Sequence, residues 1–152
     1  MTLVKTRDLV VAGMAVLATL GAVQLSRSET RIMKSTAVDW TAMEAKPTQY
    51  GMSRKVFQAP TPTLDELECH ITTLNPGQAP HAAHHHPDEE LILVKEGTVE
   101  TTLNGVSRQV GPGSVIFQAS DEMHGLRNTG QTPATYFVVK WKTPGKGGAP
   151  KQ

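Results

Sequence analysis

Six histidines occur in this 152-residue chain, and four of them fall between His81 and His86, followed closely by Asp88, Glu89 and Glu90. Neutral imidazoles and carboxylates suit first-row divalent metals, the ring nitrogens fixing direction and the carboxylate supplying negative charge. On an extended strand, residues two apart share a face, so His84 and His86 can converge on one ion while His85 points away. Glu90 has the same parity as His84 and His86. The same run has a second reading, a solvent-exposed loop that traps metal adventitiously, and the run alone does not separate the two. Cys69 is the only cysteine, which excludes an intrachain disulfide and a thiolate cluster and leaves it as a small buried hydrophobe.

The elements that must position these residues are short. From Gly51 onward, apolar segments alternate with turn residues and no long helical period intervenes, the habit of an all-β sandwich or barrel. Strands are expected at Arg54 to Gln58, Leu67 to Leu74, Glu89 to Lys95, Thr98 to Leu103, Ser107 to Val110, Ser114 to Phe117, His124 to Arg127 and Thr135 to Trp141. Asn104-Gly105 fits a two-residue hairpin whose turn needs positive φ at both positions. Asn75-Pro76-Gly77 and Gly111-Pro112-Gly113 mark two further turns. Strand parity puts Ile92 and Val94 on the face of Glu90, and Leu126 on the face of His124, so all three should line a ligand pocket inside the barrel.

Two spacings carry a resemblance to a known family. Gly77-x6-His84-x-His86-x3-Glu90-x6-Gly97 resembles the first conserved motif of the cupin superfamily, with one extra residue after the first Gly. Gly113-x5-Ala119-x-Asp121-x2-His124-x3-Asn128 resembles the second, with Ala119 where Pro is usual and Asp121 where Gly is usual. The resemblance covers about Gly51 to Lys142. It implies a double-stranded β-helix, the cupin jelly-roll barrel, and it adds His124 to His84, His86 and Glu90 as metal ligands. Three imidazoles and one carboxylate would leave about two positions of an octahedron open for water, oxygen or a chelating substrate.

The neighbouring residues receive plainer roles. His81 and His85 are expected to face solvent, and Glu89 to be a solvated charge pointing away from Glu90. His70 is read as a satisfied structural histidine rather than a fifth ligand. Asn128 should stabilise a turn, and Tyr136, Phe137 and Trp141 should be core or rim aromatics.

At the N-terminus, Lys5 and Arg7 precede an apolar stretch from Leu9 to Leu25, the order in which export signals begin. The stretch exceeds an h-region of about 7–15 residues and falls short of the roughly 20 needed to span a bilayer. Residues 1–25 are therefore read as a cleaved signal or a retained membrane anchor, with the barrel periplasmic, secreted or anchored outside the cytoplasm. Residues 26–50 read as a linker and irregular lead-in, 51–142 as the cupin domain and 143–152 as a disordered tail rich in Gly, Pro and Lys. A net charge of +1 and the absence of any Lys/Arg run argue against nucleic-acid binding.

The resulting expectation is a small exported metalloenzyme, a dioxygenase-like oxidoreductase acting on a small oxygen-rich molecule, with isomerase and decarboxylase chemistry also open to the family. Its cofactor would be one divalent transition metal, Fe, Mn, Ni, Cu or Zn. The alternative is a non-catalytic module that binds a small molecule or a metal. A homodimer is the expected assembly.

Overall fold

The computed structural model describes residues 31–145. The expected signal or anchor segment and most of the expected tail lie outside these residues. Nine strands follow a single 3-10 turn at Trp40–Ala42: β1 (Lys46–Thr48), β2 (Gly51–Ala59), β3 (Glu66–Leu74), β4 (Glu89–Glu96), β5 (Val99–Leu103), β6 (Val106–Val110), β7 (Val115–Gln118), β8 (His124–Asn128) and β9 (Ala134–Lys142). All pairings are antiparallel, in a six-stranded sheet ordered β1-β2-β3-β9-β4-β7 and a three-stranded sheet ordered β6-β5-β8. All eight strands expected from the sequence are present. Residues 26–50 are less irregular than expected, because β1 and the Trp40 turn fall among them. Among the described residues no helix is long and apolar enough to cross a membrane.

The turns are made by the residues whose backbone freedom they require. Leu103 pairs with Val106 across Asn104 and Gly105, which have φ of 48° and 83°, the mirror-image turn that matches strand twist. Gly77 and Gly113 each have positive φ after a proline, and each turn is closed by a backbone bond, Gln78 to Asn75 and Ser114 to Gly111.

Alternation along the strands sorts side chains between the two faces. On β4, Ile92 and Val94 are buried, whereas Leu91 and Leu93 are 37% and 43% exposed. The core gathers Leu74, Ile92, Val94, Val99, Ile116, Leu126, Ala134, Tyr136 and Val138. Burying each large aliphatic here contributes about 1.5–3 kcal/mol relative to exposure.

Register then grades the interior from apolar to polar. In the large sheet, Leu74 lies opposite Ala134, and Thr72 is aligned with Tyr136 and Val94; His70 follows with Val138 and Ile92, and Glu68 with Lys140, Glu90 and Gln118. The small sheet runs the same way, from Val99 opposite Asn128, through Thr101 opposite Leu126, to Leu103 opposite His124. The apolar end is closed by Asn128, which is fully buried: its amide donates to the carbonyls of Leu74 and Thr132, and its Oδ1 accepts from Gly130 N–H. The turn-stabilising role expected for Asn128 is met by these three bonds. At the opposite, polar end lies the cavity.

Candidate metal centre

His124 opens β8, while His84 and His86 lie in the segment before β4. His84 is therefore not part of an extended arm leading into β4, as strand parity had suggested. A single antiparallel bridge ties it to His124 instead. The turn before His124 has Asp121 at φ 60°, a left-handed conformation that Asp tolerates better than most residues and that explains why Gly is usual there. The Asp121 N–H donates to the His86 carbonyl at 2.7 Å, so the two motifs are joined at both histidines of the first.

The consequence is a cluster of His84, His86 and His124, whose potential ligand atoms all lie within 4.8 Å of one another. Their rings are separated by 4.6–5.2 Å between centroids. Backbone carbonyls set two of the rings. His86 Nδ1 donates to the Asp88 carbonyl at 3.0 Å and His124 Nδ1 to the Glu122 carbonyl at 2.8 Å. In each neutral ring this assigns the lone pair to Nε2, the atom turned toward the cluster.

Three observations fit a cation at this point. Nδ1 of His84 and Nε2 of His124 are buried without a hydrogen-bond partner. Nε2 of His86 lies 2.8 Å from Glu90 Oε2, so two lone-pair atoms face each other unless a proton or a metal ion lies between them. Burial, reinforced by neighbouring imidazoles, holds His84 below the ordinary imidazole range, and burial does the same for His124 despite the Glu122 carbonyl. Neutral rings with an unused lone pair are what a divalent ion requires. Glu90 reaches the cluster through His86 rather than as one of the three converging groups.

The cluster borders a cavity of about 240 Å³ whose lining includes Tyr50, His70, Ile92, Gln118, Leu126, Tyr136, Val138 and Lys140. Ile92 and Leu126 thus line the cavity as expected. Val94 does not; it is 1% exposed, packed in the apolar core beside the Tyr136 row. Tyr136 is buried, which pushes its phenol far above the ordinary range and keeps it a neutral O–H group.

His85 is exposed, as expected. His81 is also exposed, yet its ring meets that of His84 edge-on at 4.1 Å and forms part of the cavity lining. Glu89 faces away from Glu90 but is not simply solvated, because Trp141 Nε1 donates to its Oε2 at 2.9 Å. Trp141 in turn stacks on Phe117. His70 is satisfied at Nδ1 by Glu68, at 2.8 Å, and lies outside the three-histidine cluster. The sequence reading passed over the pairing of Glu68 with His70. Its signal was there in the i, i+2 spacing of a carboxylate and an imidazole on a strand with its face toward the barrel.

A jelly-roll of two antiparallel sheets with three histidines converging at its polar end defines a cupin, and the chain is a member of the cupin superfamily. Residues 70–140 match the family model described as a cupin domain. Among solved structures, an RmlC-like cupin from Shewanella frigidimarina aligns with a TM-score of 0.60 at 14% identity, covering 74% of this chain and 95% of that one. A predicted oxalate decarboxylase from Thermotoga maritima aligns with a TM-score of 0.58 at 19% identity, covering 70% and 99%. The polyketide cyclase RemF from Streptomyces resistomycificus aligns with a TM-score of 0.56 at 21% identity, covering 73% and 82%.

Proposed function

We propose that this protein is a small metal-dependent enzyme acting on an oxygen-rich molecule of a few carbon atoms, with dioxygenase-like oxidation as its leading chemistry. The observation that carries the reading is the convergence of His84, His86 and His124 on one cavity, with a ring nitrogen of His84 and one of His124 buried and unpartnered. These three residues and Glu90 would hold one divalent ion, Fe, Mn, Ni, Cu or Zn. When bound, the ion would supply Lewis acidity or a site for oxygen. The chain's own contribution is an apolar floor of Ile92, Leu126 and Val138 and a polar rim that orients the molecule. Carbonyls of Asp88 and Glu122 keep the imidazoles in one tautomer.

The fold does not choose the reaction, since neighbours of similar likeness are named as a decarboxylase and a cyclase. Elemental analysis of natively purified protein, followed by an oxygen-uptake screen with the metal found, tests the reading. Bound metal with oxygen consumption supports it. Tight ligand binding without turnover across oxygenase, isomerase and decarboxylase substrates would instead favour the binding module, which the apolar floor of the cavity would also serve. Export of the barrel, motivated by the order Lys5, Arg7 and Leu9 to Leu25, belongs to the same proposal and is tested by cell fractionation.

A homodimer completes it. Leu91, Leu93, Val115 and Phe117 form an outward apolar row on β4 and the edge strand β7, each 37–60% exposed. A second copy laid on this row would cover both the side chains and the open edge.

A further inference from the structure

On β3, Glu68 and His70 share the inward face, two strands away from Glu90 in the same sheet. Glu68 is 12% exposed; its Oε1 accepts from His70 Nδ1, while its Oε2 is buried without a partner. Register sets Lys140 directly opposite Glu68, yet the Lys140 ammonium lies 3.5 Å from Asp88 Oδ2. A carboxylate buried for structural reasons would be expected to satisfy both oxygens, because an unpaired buried anion is costly. Glu68 instead makes one strong contact, and that contact fixes a ring lining the cavity. With Nδ1–H donated to Glu68, the lone pair of His70 resides on Nε2, which has no partner among the described residues. Two strand spacings, about 10 Å, separate the backbones of β3 and β4, and His70 lines the same cavity as His84, His86 and His124.

We propose that His70 is the proton acceptor of the cavity and that Glu68 is its positioning residue. This rests on the metalloenzyme reading and specifies its substrate class: small acidic molecules with two adjacent oxygens and an O–H or C–H next to them. In the step, His70 Nε2 takes that proton and the electron pair of the broken bond stays on the substrate. The resulting imidazolium is stabilised by the Glu68 carboxylate. No oxidant or second reactant is needed for this transfer. Lys140, Asp88 and Glu90 set the remaining charge on this wall, and Lys55 on β2 lies opposite His70 with its side chain exposed.

Acetohydroxamic acid, a chelator with two adjacent oxygens and one acidic proton, tests the idea on the full chain loaded with zinc. At about pH 8, where free imidazole is neutral, calorimetry in buffers of different ionisation enthalpy reads the protons released on binding, and nitrogen NMR reads the state of His70. The wild type should release less than half a proton per hydroxamate, with His70 passing from the Nδ1–H tautomer to imidazolium. The His70→Gln and Glu68→Gln variants should keep their zinc and release nearly one proton, and Glu68→Gln should lose the single Nδ1–H tautomer. A protein that takes up no zinc defeats the metal-site reading and this one with it. Zinc-loaded protein that excludes hydroxamate, leaves His70 neutral, or releases as many protons as His70→Gln overturns this proposal alone.

Discussion

His84 and His124 exchange two backbone hydrogen bonds, His84 N–H to the His124 carbonyl at 2.9 Å and His124 N–H to the His84 carbonyl at 2.8 Å. The bridge is isolated from the strand ladders and fastens the segment before β4 to the first residue of β8. Forty residues separate the pair, and the main chain brings them together, so the geometry of the cluster does not depend on the imidazoles themselves.

Side-chain replacement should therefore remove metal without unfolding the barrel. His86→Ala or His124→Ala should lower bound metal by at least tenfold, and His85→Ala should leave it nearly unchanged, because that side chain is exposed. Glu90→Gln keeps the shape but removes the charge beside His86, and it should reduce turnover more than occupancy. Metal analysis with circular dichroism on each variant checks this. Equal loss of metal from all three alanine variants would contradict the assigned ligand set.

Acid should strip the site. The folded-state values of His84 and His124 lie below the ordinary one, so between the two values the unfolded chain binds more protons than the native protein. Stability then rises with pH through that window and is lost as pH falls below the ordinary imidazole value of about 6.5. Metal affinity falls over the same range, since protonated rings offer no lone pair. Thermal unfolding of metal-free protein and metal titrations at several pH values below neutrality measure the two effects. A melting temperature that increased on acidification would contradict the sign.

Cys69 should be inert in the native state. It is 6% exposed, and burial, helped by the nearby Glu68 charge, pushes its thiol up to about 11. Thiol reagents at mildly alkaline pH should label it only as fast as the barrel opens, with full labelling in denaturant. Rapid native labelling would show that β3 is far looser than its pairing implies.

Gly97→Ala should be costly. Gly97 has φ of +81°, and an added Cβ would meet the Ala134 Cα at 2.6 Å. The backbone penalty alone is about 1 kcal/mol, and the clash with β9 should bring the total to about 2–4 kcal/mol. Denaturant melts compare it with Gly105→Ala, where the added Cβ meets nothing within 4 Å and only the backbone term applies.

Replacing Phe117, which is 50% exposed, with Glu should convert the expected dimer to monomer while leaving metal content intact. Sedimentation of wild type and variant decides this. A wild-type monomer across the micromolar range would remove the dimer from the proposal.

Much of the fold was legible because its punctuation is chemical. Asn104-Gly105 and the two Pro-Gly turns marked where strands must end, and each has the positive φ that only those residues adopt cheaply. β1 escaped notice because Pro47 sits at its centre, as an edge strand permits and propensity argues against. In the site, the inward sense of His84 and His86 was right for a reason the strand argument did not contain, the bridge to His124. A pairing between two segments forty residues apart leaves no mark in local periodicity. Val94 shows the complementary failure: parity told which face it occupies but not how deep along the barrel it lies. Depth depends on register across strands.

The ionisable groups at the cavity are carried by different parts of the chain. The three histidines belong to β8 and the segment before β4, whereas His70 and the Glu68 that holds its ring belong to β3. Inheritance can therefore act on them separately. Changes on β3 would let the lineage try new small molecules while the metal-holding half passes unaltered to its descendants, so kinship in the ion that is bound need imply none in the molecule transformed.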